Sequence, residues 1–350
     1  MDIIKIQDQI DRNRKTVSFD SYDITIKQVY DMLAEGIIDI SPEYQRHFIW
    51  DETRQSQLIE SIFLGIPVPS LYMATNRDSS WDVVDGVQRL STIINFIGSE
   101  TEPALEGHYN QLTLEGLEKL DSMNGLTFDR MPKQLQIMFL TRSIKLTVLN
   151  DRSDFSVRYD LFERLNTGGV ILHPQEIRNC VYTGEFNDFI KKCAENVNFK
   201  AVVKLTENAK KTGNLEELVL KFFAYYENSI EFTHSVKGFL NDYMENKTTS
   251  FKNKKNLESI FTETFEFLND SLPNGIVRGN RVNITPIVLY EAISVGTAMA
   301  LKIKNKNDLS KETLIELLNS SELKKYTTGA TNSRKALTAR NEIVKSELIK

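Results

Sequence analysis

The sequence predicts an α+β protein, with a small mixed sheet and its helices in the N-terminal half and a mainly α-helical C-terminal half. Three observations carry that expectation. Short runs rich in β-branched and aromatic residues recur at 17–26, 70–74, 81–84 and 144–149. Apolar residues at helical spacing fill the intervals. Beyond about residue 174 the strand patterns vanish, and stripes such as Leu215, Leu218, Val219, Phe222 and Phe223 take over. A chain of 350 residues is expected to hold roughly two domains, here 15–185 and 186–350.

The elements follow from local chemistry. Residues 17–26 mix Val17, Phe19, Tyr22 and Ile24 with polar neighbours, as one or two short strands do. A helix over 26–35 ends at Gly36. Asp51 reads as an N-cap, and Leu58, Ile59, Ile62 and Phe63 give the next helix its stripe until Gly65 stops it. Pro67 and Pro69 return the chain to extended structure. Strands at 70–74 and 81–84 flank the polar turn 76–80, and the second runs into Asp85 and Gly86. Val87, Leu90, Ile93, Ile94 and Ile97 then mark a helix. A strand at 144–149 leads to a helix at 155–165 and the loop Asn166-Thr167-Gly168-Gly169. The apolar segment 284–303 contains Pro286 and Glu291, so it reads as a buried helix and not as a membrane span.

Composition narrows the function classes. With 43 Lys+Arg against 48 Asp+Glu the formal charge is −5, which excludes a nucleic-acid binder driven by basic tails. Basic clusters are local: Lys210-Lys211, residues 252–255, and the last 30 residues, where seven Lys and Arg face three Glu. Their simplest reading is solvated helix surface. Two cysteines, Cys180 and Cys193, make neither a disulfide scaffold nor a four-ligand zinc site, and they fit a reducing cytoplasm. The first residues lack an apolar signal stretch. His47, His108, His173 and His234 show no metal-finger spacing, and there is no Walker-type glycine-lysine string and no nucleophile elbow.

Two constellations carry chemistry. In Val84-Asp85-Gly86-Val87-Gln88-Arg89-Leu90 a strand, a glycine turn and a helix follow one another. Gly86 admits a ligand to the backbone, the first helical N–H groups attract an anion, and Arg89 offers a bidentate fork. Arg46, on a polar turn before the preceding helix, is a second cation. Asp85, at the strand's carboxyl end, has the chemistry to hold Mg²⁺ or orient a water, and the Gln88 amide can position a ligand. The plainer reading is that Asp85 caps the helix and Arg89 pairs with a surface carboxylate. The second constellation is Asn166-Thr167-Gly168-Gly169, followed by Pro174, Gln175, Glu176 and Arg178. It reads either as a ligand-approaching loop or as a helix C-cap followed by an N-cap. The aromatic run Phe222-Phe223-Ala224-Tyr225-Tyr226 could stack on bases, but its helical spacing favours core packing.

Taken in order, Tyr44-Gln45-Arg46, Phe48-Ile49-Trp50, Gly65-Ile66-Pro67, Asp85-Gly86-Val87-Gln88-Arg89-Leu90-Ser91-Thr92 and Phe162 through Gly169 resemble the family found as the N-terminal half of GmrSD-type restriction enzymes, over about residues 15–185. The resemblance implies a ParB/sulfiredoxin-like fold and a domain that binds, and hydrolyses, a nucleoside triphosphate with Mg²⁺ in restriction or anti-phage defence. Asp85, Gln88 and Arg89 would be catalytic, with Asp85 the metal ligand. Arg46, Gly86, Arg89, Ser91, Thr92, Asn166, Thr167 and Gly168 would bind the nucleotide, supported by Gln45, Gln175, Glu176 and Arg178. DNA, a partner nuclease or defence subunit, and a second copy of the chain are the implied partners, and no membrane is. The chain departs from the family's Asp-Gly-Gln-Gln-Arg string at Val87, which favours the alternative of a non-catalytic binding module that regulates a partner nuclease. No cysteine precedes Asn179, which excludes sulfiredoxin-type chemistry, and no His-Asn-His-like nuclease set is present.

Overall fold

The computed structural model describes residues 3–13, 18–40, 50–76, 78–98, 111–150, 154–165, 172–233, 235–279, 283–329 and 331–350. The chain divides into two compact units, Met1–Ile171 and Leu172–Lys350.

The first unit opens with α1 (Ile3–Asn13), β1 (Phe19–Thr25), α2 (Ile26–Ala34) and the two-residue β2 (Ile38–Asp39). Next come α3 (Glu52–Leu64), β3 (Leu71–Thr75), β4 (Trp81–Asp85) and α4 (Val87–Ile97). The unit ends with α5 (Lys133–Leu140), β5 (Ser143–Leu149) and α6 (Phe155–Leu165). The sheet order is β1-β5-β3-β4-β2. It is mixed, because β1/β5 and β3/β4 run antiparallel whereas β3/β5 and β2/β4 run parallel. Parallel neighbours require crossovers, and α3 and α4 lie in the stretches of chain that cross.

Caps fix where these helices begin. Thr25 and Gln28 form a capping box on α2, and the Asp51 carboxylate accepts the Arg54 N–H at 2.8 Å on α3, as the sequence led us to expect. Gly65, at φ +70°, closes α3. The core between helices and sheet takes Ile26 and Val29 from α2, Ile59 and Phe63 from α3, and Leu90, Ile93 and Ile94 from α4. Phe63, Phe96, Phe128 and Phe139 form an aromatic cluster with ring centroids 5.1–6.5 Å apart. Outermost in the sheet, β1 leaves most of its side chains exposed.

The second unit is helical throughout its described residues, apart from turns. It comprises α7 (Pro174–Val181), α8 (Glu185–Ala194), α9 (Val197–Val202), α10 (Glu207–Lys211), α11 (Asn214–Asn228), α12 (Val236–Thr249), α13 (Lys254–Ser271), α14 (Ile287–Leu301), α15 (Lys311–Asn319), α16 (Ser321–Thr327) and α17 (Arg334–Leu348). The expected run Phe222-Phe223 is core, with both rings fully buried against Phe261 and Phe265. The expected buried helix at 284–303 is α14, whose residues from Leu289 to Ala298 are all buried. None of the described helices is long and apolar enough to cross a membrane. Gly296 lets α17 approach α14, since a Cβ there would fall 2.5 Å from the Val344 Cβ.

The compact division falls before α7, not at 185. The reason is chemical: Arg178 of α7 donates to Asn241 of α12 at 2.8 Å and pairs with Glu217 of α11 at 3.2 Å. A buried guanidinium belongs with the groups that neutralise it.

Candidate functional site

The strand-to-helix turn at Gly86 is the best-formed candidate. Gly86 sits at φ +104°, where L side chains are strained, and a Cβ there would lie 2.3 Å from the Leu71 methyl. A side chain at position 86 would therefore be strained by the backbone conformation and would force the Leu71 methyl to move. The helix begins at once, with the Leu90 N–H donating to the Gly86 carbonyl at 2.8 Å. No side chain caps α4 among the described residues, so its positive end is left for another acceptor.

The charged residues of the turn are organised around Arg89. One terminal nitrogen donates to the Asp85 carboxylate at 2.6 Å, and the other donates to the Ser70 carbonyl at 3.0 Å and to that of Pro69. The guanidinium thus ties the start of β3 to the end of β4. Arg89 braces the backbone, and its partner is the carboxylate four residues back. The plainer reading is right about the pairing and wrong about the cap: the N-cap is Gly86, and Asp85 bonds to Arg89.

Gln88 reaches across to the start of α3. Its Oε1 accepts the Trp50 N–H at 3.2 Å, while Gln55 donates to the Trp50 carbonyl at 3.0 Å. Trp50 is therefore held by its backbone beside the first turn of α4, and the Arg54 guanidinium lies 4.8 Å over its ring. Arg54 is exposed and, among the described residues, forms no ion pair. This cation was missed in the sequence, because Trp50 precedes the Asp51 cap and only the fold of the chain into α3 brings its ring under Arg54.

Ser91 and Thr92 do not face the turn. They are 1% and 0% exposed, and the Thr92 hydroxyl donates to the Gln88 carbonyl at 2.7 Å. Val87, Leu90, Ser91 and Ile94 share one buried face, so neither hydroxyl is presented to a ligand at the surface. Val87 itself is 7% exposed, so in this chain position 87 packs.

Gln175, Glu176 and Arg178 lie in the second unit and are buried. Glu176 accepts the His173 N–H at 2.8 Å, an N-terminal cap bond on α7, as the capping alternative requires. Gln175 and Arg178 hydrogen-bond to each other and, with Glu217, form one end of a charge network. It continues through Lys221 to Glu291 and Arg340, the last two joined at 2.6 Å. Burial pushes the Glu291 carboxyl up, against the pull of Lys221 and Arg340, while Lys221 and Arg178 hold Glu217 below the usual range despite its burial. Gln45, Arg46, Asn166, Thr167 and Gly168 lie outside the described residues.

One oxygen of the Asp85 carboxylate is held by Arg89, and among the described residues no group of three His, Cys, Asp or Glu side chains is placed to hold an ion. In the same strand, burial, followed by the nearby charges of Asp39 and Asp78, raises Asp82 to about 6 even though Asn76 bonds to it.

Residues 26–183 match the family model of the GmrSD restriction endonuclease N-terminal domain. That stretch is thus similar to the family its ordered motifs resemble. A solved Pnob8-like ParB-N domain aligns with 95% of this chain and 99% of its own, at 12% identity and a TM-score of 0.23. No curated protein matches the chain.

Proposed function

We propose that the N-terminal unit binds a nucleoside triphosphate at the Gly86 turn, as a ParB-like, restriction-type domain acting on foreign DNA in the cytoplasm. The observation that carries the reading is the uncapped start of α4 at a left-handed glycine, beside the Trp50 ring and the exposed Arg54. Helix N–H groups supply an anion site, Trp50 a face for a base, and Arg54 a cation for phosphate. Mg²⁺ would arrive on the phosphates, since among the described residues no three His, Cys, Asp or Glu side chains are grouped to hold it. The matched family is named for the N-terminal domain of a restriction endonuclease, which supports a DNA-directed role exercised with a partner nuclease or a second copy of the chain.

Hydrolysis is the finer part of the proposal. Phosphate release from each of the four ribonucleoside triphosphates with Mg²⁺, with and without DNA, tests it: turnover lost in Arg89→Ala supports an enzyme. A second reading, a binding module that signals to a nuclease, is favoured by the engagement of Asp85 with Arg89 and by the packed Val87. It predicts ligand-dependent thermal stabilisation with no phosphate release.

A further inference from the structure

The helical unit contains a cleft of about 790 Å³ between the end of α11, the outer face of α13, the end of α14 and Lys345 of α17. That is within the size range of small-ligand sites, roughly 300–1,000 Å³. Its floor is apolar, with Leu257 buried and Ile260 and Leu301 partly so. Tyr226 forms one wall. The ring lies parallel to Phe222, 5° between planes and 6.2 Å between centroids, so the core sets its orientation.

The polar groups of the cleft divide into two kinds. Glu227 is engaged by Lys247 at 2.7 Å and by the Tyr243 hydroxyl, and Lys345 by Glu342 at 2.9 Å. The Tyr226 hydroxyl, the Asn256 amide and the Lys302 ammonium, by contrast, have no hydrogen-bond partner among the described residues. Glu263 accepts only the Ser259 hydroxyl, at 2.5 Å, and has no cation among the described residues. What remains to be satisfied is one cation, one carboxylate, one amide and an aromatic wall. A phosphate matches the cation, a flat base matches the wall, and the base's N–H edge matches the carboxylate and amide. A docked amphipathic helix would need a wholly apolar groove instead.

We propose that this cleft binds a nucleoside monophosphate, with the phosphate on Lys302, the base against Tyr226 and the base's N–H edge toward Glu263 and Asn256. The site belongs to the second unit and is independent of the Gly86 turn. Calorimetric titration of the full chain with each of the four ribonucleoside monophosphates tests it, with the matching nucleosides and ribose 5-phosphate as partial ligands. The expected result is binding of at least one monophosphate, weakened about tenfold in Lys302→Ala, the loss of one charge-assisted phosphate contact. Tyr226→Ala should lose the base's contribution in the same measure. Lys302 is exposed, so its variant should melt with the wild type. No binding at millimolar concentration overturns the proposal, as does a nucleoside that binds as tightly as its monophosphate. Binding that Lys302→Ala leaves intact overturns it too, and if Arg54→Ala then removes that binding, the ligand sits at the Gly86 turn.

Discussion

Arg89 donates to Asp85 at 2.6 Å while its other terminal nitrogen donates to the carbonyls of Ser70 and Pro69, so the arginine marked for phosphate is the brace of the turn that would receive it. Loss of this side chain should remove both a cation and the geometry of the site. Arg54, which braces nothing among the described residues, separates the two effects.

Gly86→Ala should destabilise the protein by about 2–4 kcal/mol, the sum of a left-handed penalty and the overlap with Leu71. Urea denaturation followed by circular dichroism reads it. A change below half a kcal/mol would mean that the turn relaxes freely and is not a fixed cradle.

Much of the fold was legible and part of the site was not. The strands at 19–25, 71–75, 81–85 and 143–149 were readable because β-branched and aromatic residues cluster between clear turn signals. Ile38–Asp39 was not, since two residues make no pattern, and neither the α1 stripe Ile3, Ile6 and Ile10 nor the helix Lys133–Leu140 was singled out. At the site, Gly86 and Arg89 could be read from type and spacing. The acceptors of Arg89 could not, because two are backbone carbonyls about 20 residues upstream, and a carbonyl leaves no trace in sequence. The inward direction of Ser91 was available from its place between Val87, Leu90 and Ile94, and the family string outweighed it.

Asp82 makes stability depend on pH. Its folded value of about 6 stands above the ordinary 3.8 of an aspartate, so the folded state binds more protons between those values. Its contribution favours folding fully below pH 3.8 and is lost as pH rises through about 6. Asp82→Asn should therefore stabilise by about 1–3 kcal/mol at pH 8 and do little at pH 4. Equal effects at both pH values would contradict the burial of that carboxyl.

Arg340 and Glu291 are 2% and 6% exposed, so breaking their pair strands a charge. Arg340→Ala should cost about 3–5 kcal/mol, and Arg340→Met with Glu291→Leu should cost less than the single change. Thermal melts of the single and double variants decide it. A double variant worse than the single would contradict this, and would mean that Glu291 stabilises the fold through Lys221 as well.

Burial pushes the Cys193 thiol up to about 12, which leaves little thiolate at neutral pH. Iodoacetamide at pH 8 should modify Cys193 at least about a hundredfold more slowly in native protein than in urea. Mass spectrometry of the labelled peptide follows the rate, and equal rates would mean that α8 opens readily.

The central claim is that the Gly86 turn holds a nucleoside triphosphate, and the most direct measurement is calorimetric affinity for each Mg²⁺-nucleotide in wild type, Arg54→Ala and Arg89→Ala. The account predicts binding by the wild type, about tenfold weaker in Arg54→Ala, and none in Arg89→Ala. Absence of binding to all four nucleotides, or an affinity that neither variant changes, would contradict it.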